Sequence, residues 1–264
     1  MIIDTHAHIF SAAGPFMPGA RYCPNYDAKI EDWLALWPPA GVTHGVLVQP
    51  SFLGTDNSLL LGALEQRPEL LRGVIVIDSS VGKAQLQQWN RTGARGVRLN
   101  LIGIGDLSVF GGPQWSKIFR WMVELGWHLE VQCEGERLAA LLSVLPDIPL
   151  ALVIDHFGLP DPHAAGYCPG ILALFQETRR RKVFVKLSAP YRLRGVNPGK
   201  YAELYLKELG PEFLLWGTDW PWTNHESGRS YTECQGMLRT WIPSPDSEDM
   251  VLGGAPRALY RFGE

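Results

Sequence analysis

The sequence predicts an α/β protein folded as a (β/α)8 TIM barrel, one domain over residues 1–264, and three observations predict it. Eight short apolar runs recur along the chain, and segments with helical periodicity separate them. Several runs (VLV, VIVI, LALVI) are nearly continuous rather than alternating, the pattern of strands covered on both faces of a parallel sheet. Polar residues gather at one place in each unit, the C-terminal end of the run, where barrels of this class build their active sites. No GxGxxG follows the first run, so a dinucleotide-binding open sheet has no support.

Taken in order, the first strand is expected over 2–5 and leads into His6 and His8. The Gly- and Pro-rich stretch 11–28 then covers the barrel mouth, and a helix follows over 29–37. The second strand, 44–48, ends in Gln49 and Ser51 ahead of a helix over 57–66. The third, 73–77, ends in Asp78 and the fourth, 96–99, in Arg98 and Asn100, with a helix over 83–90 between them. A helix over 115–125 precedes the fifth strand, 128–132, which ends in Gln132 and Glu134. After a helix over 136–145, the sixth strand, 150–154, ends in Asp155 and His156. A helix over 170–180 leads to the seventh strand, 183–187, with Lys186 and Ser188 at its end. One over 201–209 leads to the eighth, 213–216, which ends in Thr218 and Asp219, and a last helix over 256–260 follows a loop.

Composition narrows the function classes. With 46% hydrophobic and 19% charged residues, the chain can bury a large core and is neither disordered nor a coiled coil. A net charge of −3 argues against nucleic acid, whose phosphates call for a basic face. No apolar run approaches the length of a membrane span. The start, Met1-Ile2-Ile3-Asp4, lacks the basic-then-apolar order of a signal peptide, so a soluble, cytoplasmic protein is expected. Cys23, Cys133, Cys168 and Cys234 form no CxxC pair, which excludes a zinc ribbon or redox motif.

Three clusters carry chemistry. Asp4-Thr5-His6-Ala7-His8 places two imidazoles at i and i+2, on one face of a strand. A single core histidine is satisfied by a backbone carbonyl, but two on one inward face suit a metal ion or a carbonyl oxygen. Asp155-His156-Phe157-Gly158 adds a third imidazole, with a loop cap as the bland alternative. Asp219 sits in Trp216-Gly217-Thr218-Asp219-Trp220-Pro221-Trp222, where poor solvation raises a carboxyl pKa and neighbouring imidazolium or metal lowers it. Within reach of the histidines, it is a candidate general base for water.

These motifs, with VQPSFLGTDN (48–57), RGVRLN (95–100), VIDHFGLPD (153–161) and KLSAPYRL (186–193), resemble the amidohydrolase superfamily. More narrowly, they are similar to its amidohydrolase-2 branch and to the 2-pyrone-4,6-dicarboxylate lactonases within it. The resemblance implies a hydrolase opening a small anionic lactone. Asp219 would activate water, while His6, His8 and His156 polarise the scissile carbonyl. Arg98 and Arg192 would hold substrate carboxylates, with Ser51, Tyr22 and Gln132 as further contacts. The chain departs from the lactonase pattern at Ile104 and Leu159, where that pattern has arginines, and at Gln132, where it has a tyrosine. A lactone with one carboxylate, or a sugar-acid lactone, is therefore an alternative substrate, with Arg194 or Lys186 as compensating cations. No metal is expected, because Arg98 and Gln132 stand where metal-dependent relatives carry ligands. The alternative is one zinc held by His6, His8, His156 and Asp219, as in a zinc-dependent decarboxylase of the same superfamily. Self-association as a homo-oligomer is left open.

Overall fold

In a computed structural model, which describes residues 1–164 and 166–263, strands and helices alternate around a nearly closed barrel. The order is β1 (Ile3–Ala7), α1 (Ile30–Ala35), α2 (Trp37–Ala40), β2 (His44–Val48), α3 (Ser58–Gln66), β3 (Leu71–Ile75), α4 (Lys83–Thr92) and β4 (Ala94–Asn100). It continues with α5 (Pro113–Glu124), β5 (His128–Gln132), α6 (Leu138–Val144), β6 (Ala151–Ile154), α7 (Pro169–Glu177), β7 (Val183–Leu187), α8 (Pro198–Glu208) and β8 (Leu214–Trp216). Three helices, α9 (Tyr231–Trp241), α10 (Pro245–Asp249) and α11 (Ala255–Tyr260), complete the chain. All neighbouring strands pair in parallel, in the order β1 to β8. Closure runs just past the strand ends: Asp219 N donates to His6 O and His8 N to Trp220 O, each at 2.8 Å.

The register of β1 against β2 shifts between Asp4 and Ala7. Such an irregularity switches which face alternate side chains occupy. Ile3 accordingly packs with Val46, Val74, Val153, Phe184 and Leu215, a group from six strands that can meet only inside the barrel. His6, three residues on, also faces inward and meets Lys186. Asp4 faces out and ties β1 to the wall, accepting from Trp33 Nε1 at 3.1 Å, Thr218 Oγ1 at 2.6 Å and Tyr231 OH at 2.8 Å. Gly45 lets α1 and α2 lie against β2, because a Cβ there would meet the Trp33 ring at 2.3 Å.

Two differences from the expected elements have clear causes. The helix expected over 29–37 divides at Leu36, because the Pro38-Pro39 pair suits a first helical turn and α2 starts there. Helix α9 falls where only a loop was expected. Its signal was present: Ser230 caps the helix by accepting from Glu233 N, and Tyr231, Cys234, Gln235 and Leu238 form the buried stripe. Among the described residues, no helix is long and apolar enough to cross a membrane.

Candidate active site

The C-terminal strand ends enclose a cavity of about 480 Å³. His8, Tyr22, Ser51, Arg98, Gln132, His156, Arg192 and Asp219 all line it. His6, fully buried, lies directly against His8 and His156, with ring centroids 4.9 and 4.8 Å away. The residues singled out in the sequence thus converge, although they come from the ends of every strand but β3.

Asp219 is the centre of the arrangement. Its Oδ1 has no hydrogen-bond partner and lies 3.6 Å from His6 Nε2, 3.5 Å from His8 Nε2 and 3.8 Å from His156 Nε2. Its Oδ2 faces away and accepts from Tyr191 OH at 2.6 Å and Arg192 Nε at 2.9 Å. The two oxygens are therefore separated in role, one anchored and one open. Burial pushes this carboxyl up, but Arg192, then His156, His8 and His6, outweigh burial and hold it well below the usual carboxylate range. Both Asp219 (φ 61) and His156 (φ 52) sit in the left-handed region, as does Phe157 (φ 55). Such backbones cost about 1–3 kcal/mol each and persist where surrounding structure imposes them. Here they turn the side chains into the mouth directly after β8 and β6.

The imidazoles are oriented from behind. His8 Nδ1 meets Val48 O at 2.7 Å, and a carbonyl can only accept, so that nitrogen carries a proton. His156 Nδ1 pairs with Ser188 Oγ at 2.8 Å and His6 Nδ1 with Lys186 Nζ at 3.0 Å. Burial lowers the His156 pKa to about 4 and takes His6 well below its ordinary value, with the Lys186 charge adding to the latter. Both rings are neutral at neutral pH.

A buried layer of charge lies beneath. Lys186 contacts Glu130 Oε2 at 2.5 Å, and Arg98 holds Asp155 Oδ2 at 2.9 Å, with all four side chains at most 3% exposed. Removing one partner of such a pair costs about 3–5 kcal/mol, because the other charge is stranded. Lys186 is thus committed to the barrel interior and does not reach the cavity as a compensating cation. Arg98 is likewise fixed, with Nη2 on Gln132 Oε1 at 2.9 Å. Tyr22 donates to Glu226 at 3.3 Å across the mouth, joining the loop after β1 to the loop after β8. Of the departures, Leu159 lines the cavity, whereas Ile104 is 45% exposed outside it.

Sequence reasoning missed Tyr191 and Asp4. The first stands beside Arg192 in KLSAPYRL, and that adjacency was its only signal. The second begins the DTHAH motif but works outside the barrel, holding Thr218.

The donor set corrects the expectation of a site without a metal. His6, His8 and Asp219 offer ligand atoms within 4.8 Å of one another, and so do His6, Asp155 and His156. At zinc–ligand distances of about 2.0–2.1 Å, tetrahedral ligands stand about 3.4 Å apart, close to the 3.5–3.8 Å separations around Asp219 Oδ1. His8 Nε2 and Asp219 Oδ1 face each other 3.5 Å apart, a separation that leaves room for a cation held by both. Donation from His8 Nδ1 to a backbone carbonyl is also the usual support of a metal-bound histidine. An amidohydrolase from Burkholderia multivorans with bound zinc shares the fold, at 21% identity, a TM-score of 0.78 and 99% of each chain covered.

Two curated relatives match nearly the whole chain. A 2-pyrone-4,6-dicarboxylate hydrolase of Comamonas testosteroni is 30% identical over 98% of this chain and 89% of its own length. A 4-sulfomuconolactone hydrolase of Hydrogenophaga intermedia is 26% identical over 97% and 88%. A solved structure from Acinetobacter baumannii, described as a probable 2-pyrone-4,6-dicarboxylic acid hydrolase with citric acid bound, covers 99% of each chain with a TM-score of 0.93 and 32% identity. The family model of the amidohydrolases matches residues 3–262, nearly the length of the barrel, and this chain belongs to that family.

Proposed function

We propose that the chain is a hydrolase that opens a carboxylate-bearing lactone, with Asp219 as general base and His6, His8 and His156 around the reacting carbonyl. One observation carries the reading: a buried, unpartnered, ionised Asp219 Oδ1 aimed at three imidazole nitrogens. The named lactone hydrolases among the relatives support it, as does their coverage of nearly the whole chain.

Asp219 Oδ1 takes a proton from water as the water oxygen bonds to the lactone carbonyl carbon. The carbonyl oxygen becomes an oxyanion, which His6 and His156 stabilise from fixed positions where their Nε2 carries the ring proton. Collapse breaks the ring C–O bond, and Asp219 returns its proton to the departing oxygen, so the product is the open-chain hydroxy or oxo acid. Tyr191 and Arg192 keep Oδ2 anchored throughout and leave Oδ1 as the only oxygen free to exchange protons. A divalent ion held by His6, His8, His156 and Asp219 would polarise the carbonyl and make water more acidic.

The test is hydrolysis of 2-pyrone-4,6-dicarboxylate by purified protein, with metal content measured on the same sample. Asp219→Asn is expected to lower kcat by about 10³-fold, within the range of general-base contributions, while substrate still binds. A variant that keeps near-normal turnover removes Asp219 as the base, and no turnover by the unaltered protein across a lactone panel removes the reading altogether.

A further inference from the structure

The guanidiniums that the family resemblance assigns to substrate carboxylates already hold carboxylates of the chain itself. Arg98 reaches Asp155 Oδ2 at 2.9 Å through both Nε and Nη2. Arg192 grips Asp219 Oδ2 at 2.9 and 2.8 Å. Glu134, the other acid on the cavity wall, is taken by Arg137 at 3.2 Å and by Gly103 N at 3.0 Å.

Two guanidiniums on that wall have no carboxylate partner. Arg21, in the loop after β1, donates to the neutral Asn100 Oδ1 at 3.1 Å, and no acid lies in ion-pair range among the described residues. Arg194, in the loop after β7, has neither a hydrogen bond nor an ion pair among the described residues. It is held at φ 52, a backbone region uncommon outside glycine. Both are exposed at the mouth, and they belong to different loops. A chain of net charge −3 therefore carries two positive charges without a carboxylate partner at the entrance of this cavity. A charged cleft of this kind concentrates counter-ions of opposite sign. Planar guanidiniums pair with carboxylates and sulfonates through two parallel N–H donors, so the group they favour is an oxyanion.

We infer that Arg21 and Arg194 clamp an anionic group of the substrate remote from the scissile carbonyl. They, rather than Arg98 and Arg192, set the preference for a doubly anionic lactone over a singly anionic one. The inference rests on the lactone-hydrolase reading for its substrate and on the charge distribution alone for its residues.

The experiment compares 2-pyrone-4,6-dicarboxylate with 2-pyrone-6-carboxylate, which differ by one carboxylate on the same ring. The unaltered protein prefers the dicarboxylate in kcat/KM. Arg21→Met and Arg194→Met each lower that preference by about tenfold, the weight of one charge-assisted contact, and do so through KM. Raising ionic strength erodes the same preference. A preference within twofold of the unaltered value in both variants overturns the assignment. If neither lactone is hydrolysed by the unaltered protein, the lactonase reading fails but the clamp is still read by calorimetry with two inert acids, isophthalate and benzoate. Tighter isophthalate binding that weakens in both variants supports the clamp, and equal binding of the two acids overturns it.

Discussion

At the scale of single residues, the site is a problem in keeping one carboxylate both buried and ionised. Burial opposes the charge on Asp219, and the Arg192 guanidinium, at 2.8 Å, is the largest opposing influence. Arg192→Gln removes that influence and lets burial raise the carboxyl. A base works only when deprotonated, so activity is lost as pH falls through its pKa, and the acid limb of the kcat profile is expected to move to higher pH. Tyr191→Phe deletes one hydrogen bond to the same oxygen but no charge, so its limb moves in the same direction by less. A pH–rate profile for the two variants checks the order, and unchanged limbs in both would dissociate Asp219 from the acid limb. The groups proposed to react were legible in the sequence because each lies in a short motif at a strand end: DTHAH, DHFG and GTDWP. The partners of their second oxygens and ring nitrogens were not. Tyr191 lies 28 residues from Asp219, and Lys186 lies 180 from His6, so no local pattern joins them.

At the scale of elements, the seam between β1 and β8 decides where the two halves of the site stand. Gly217 is the point of closest approach: a Cβ there would meet His6 Cβ at 2.6 Å and His6 N at 2.9 Å. The obstacle is partly backbone and cannot swing aside. Gly217→Ala is therefore expected to destabilise by about 1–3 kcal/mol, as overpacking does, and to lower kcat because His6 and Asp219 are displaced together. Gly62, in α3, provides the opposite sign, because a Cβ added there would meet nothing within 4 Å. Gly62→Ala is expected to stabilise by about 0.5–1 kcal/mol, since glycine is costly inside a helix. Thermal unfolding of the two variants measures this contrast, and similar melting temperatures would mean that the seam can relax. The eight strands were legible from their apolar runs, with ends shifted by up to two residues at β1, β3 and β4. The turn of register within β1 was not, because it depends on how Asp4 is drawn outward by Trp33, Thr218 and Tyr231. Helix α9 could have been read from Ser230, which caps it by accepting from Glu233 N.

At the scale of the whole molecule, the barrel interior is layered, apolar at the base, ionic in the middle and imidazole-lined at the mouth, and this sets how stability depends on pH. His156 is held to about 4 and His6 well below the ordinary histidine value, both chiefly by burial. An unfolded chain takes up protons on these rings near 6.5, whereas the folded chain refuses them. Stability conferred by the neutral rings is therefore complete above about 6.5 and is lost as pH falls toward 4. Asp219, Asp155 and Glu130 have folded pKa values lowered against the pull of burial, by Arg192 and His156, by Arg98 and Lys186, and by Lys186 respectively. Their contribution has the same sign and is lost below the range in which unfolded carboxylates protonate. Asp4, raised by burial, acts in the opposite direction. The melting temperature, measured with a chelator present so that ion binding does not enter, is expected to be highest near neutral pH. It should fall between pH 6.5 and 4, before carboxylate protonation accounts for it. His156→Gln should flatten that part of the curve. A melting temperature constant from pH 7 to 4.5 would mean that the folded protein accepts protons on the histidines as readily as the unfolded chain does. The mouth would then be wetter, and its imidazoles less firmly held neutral, than the buried arrangement around Asp219 requires.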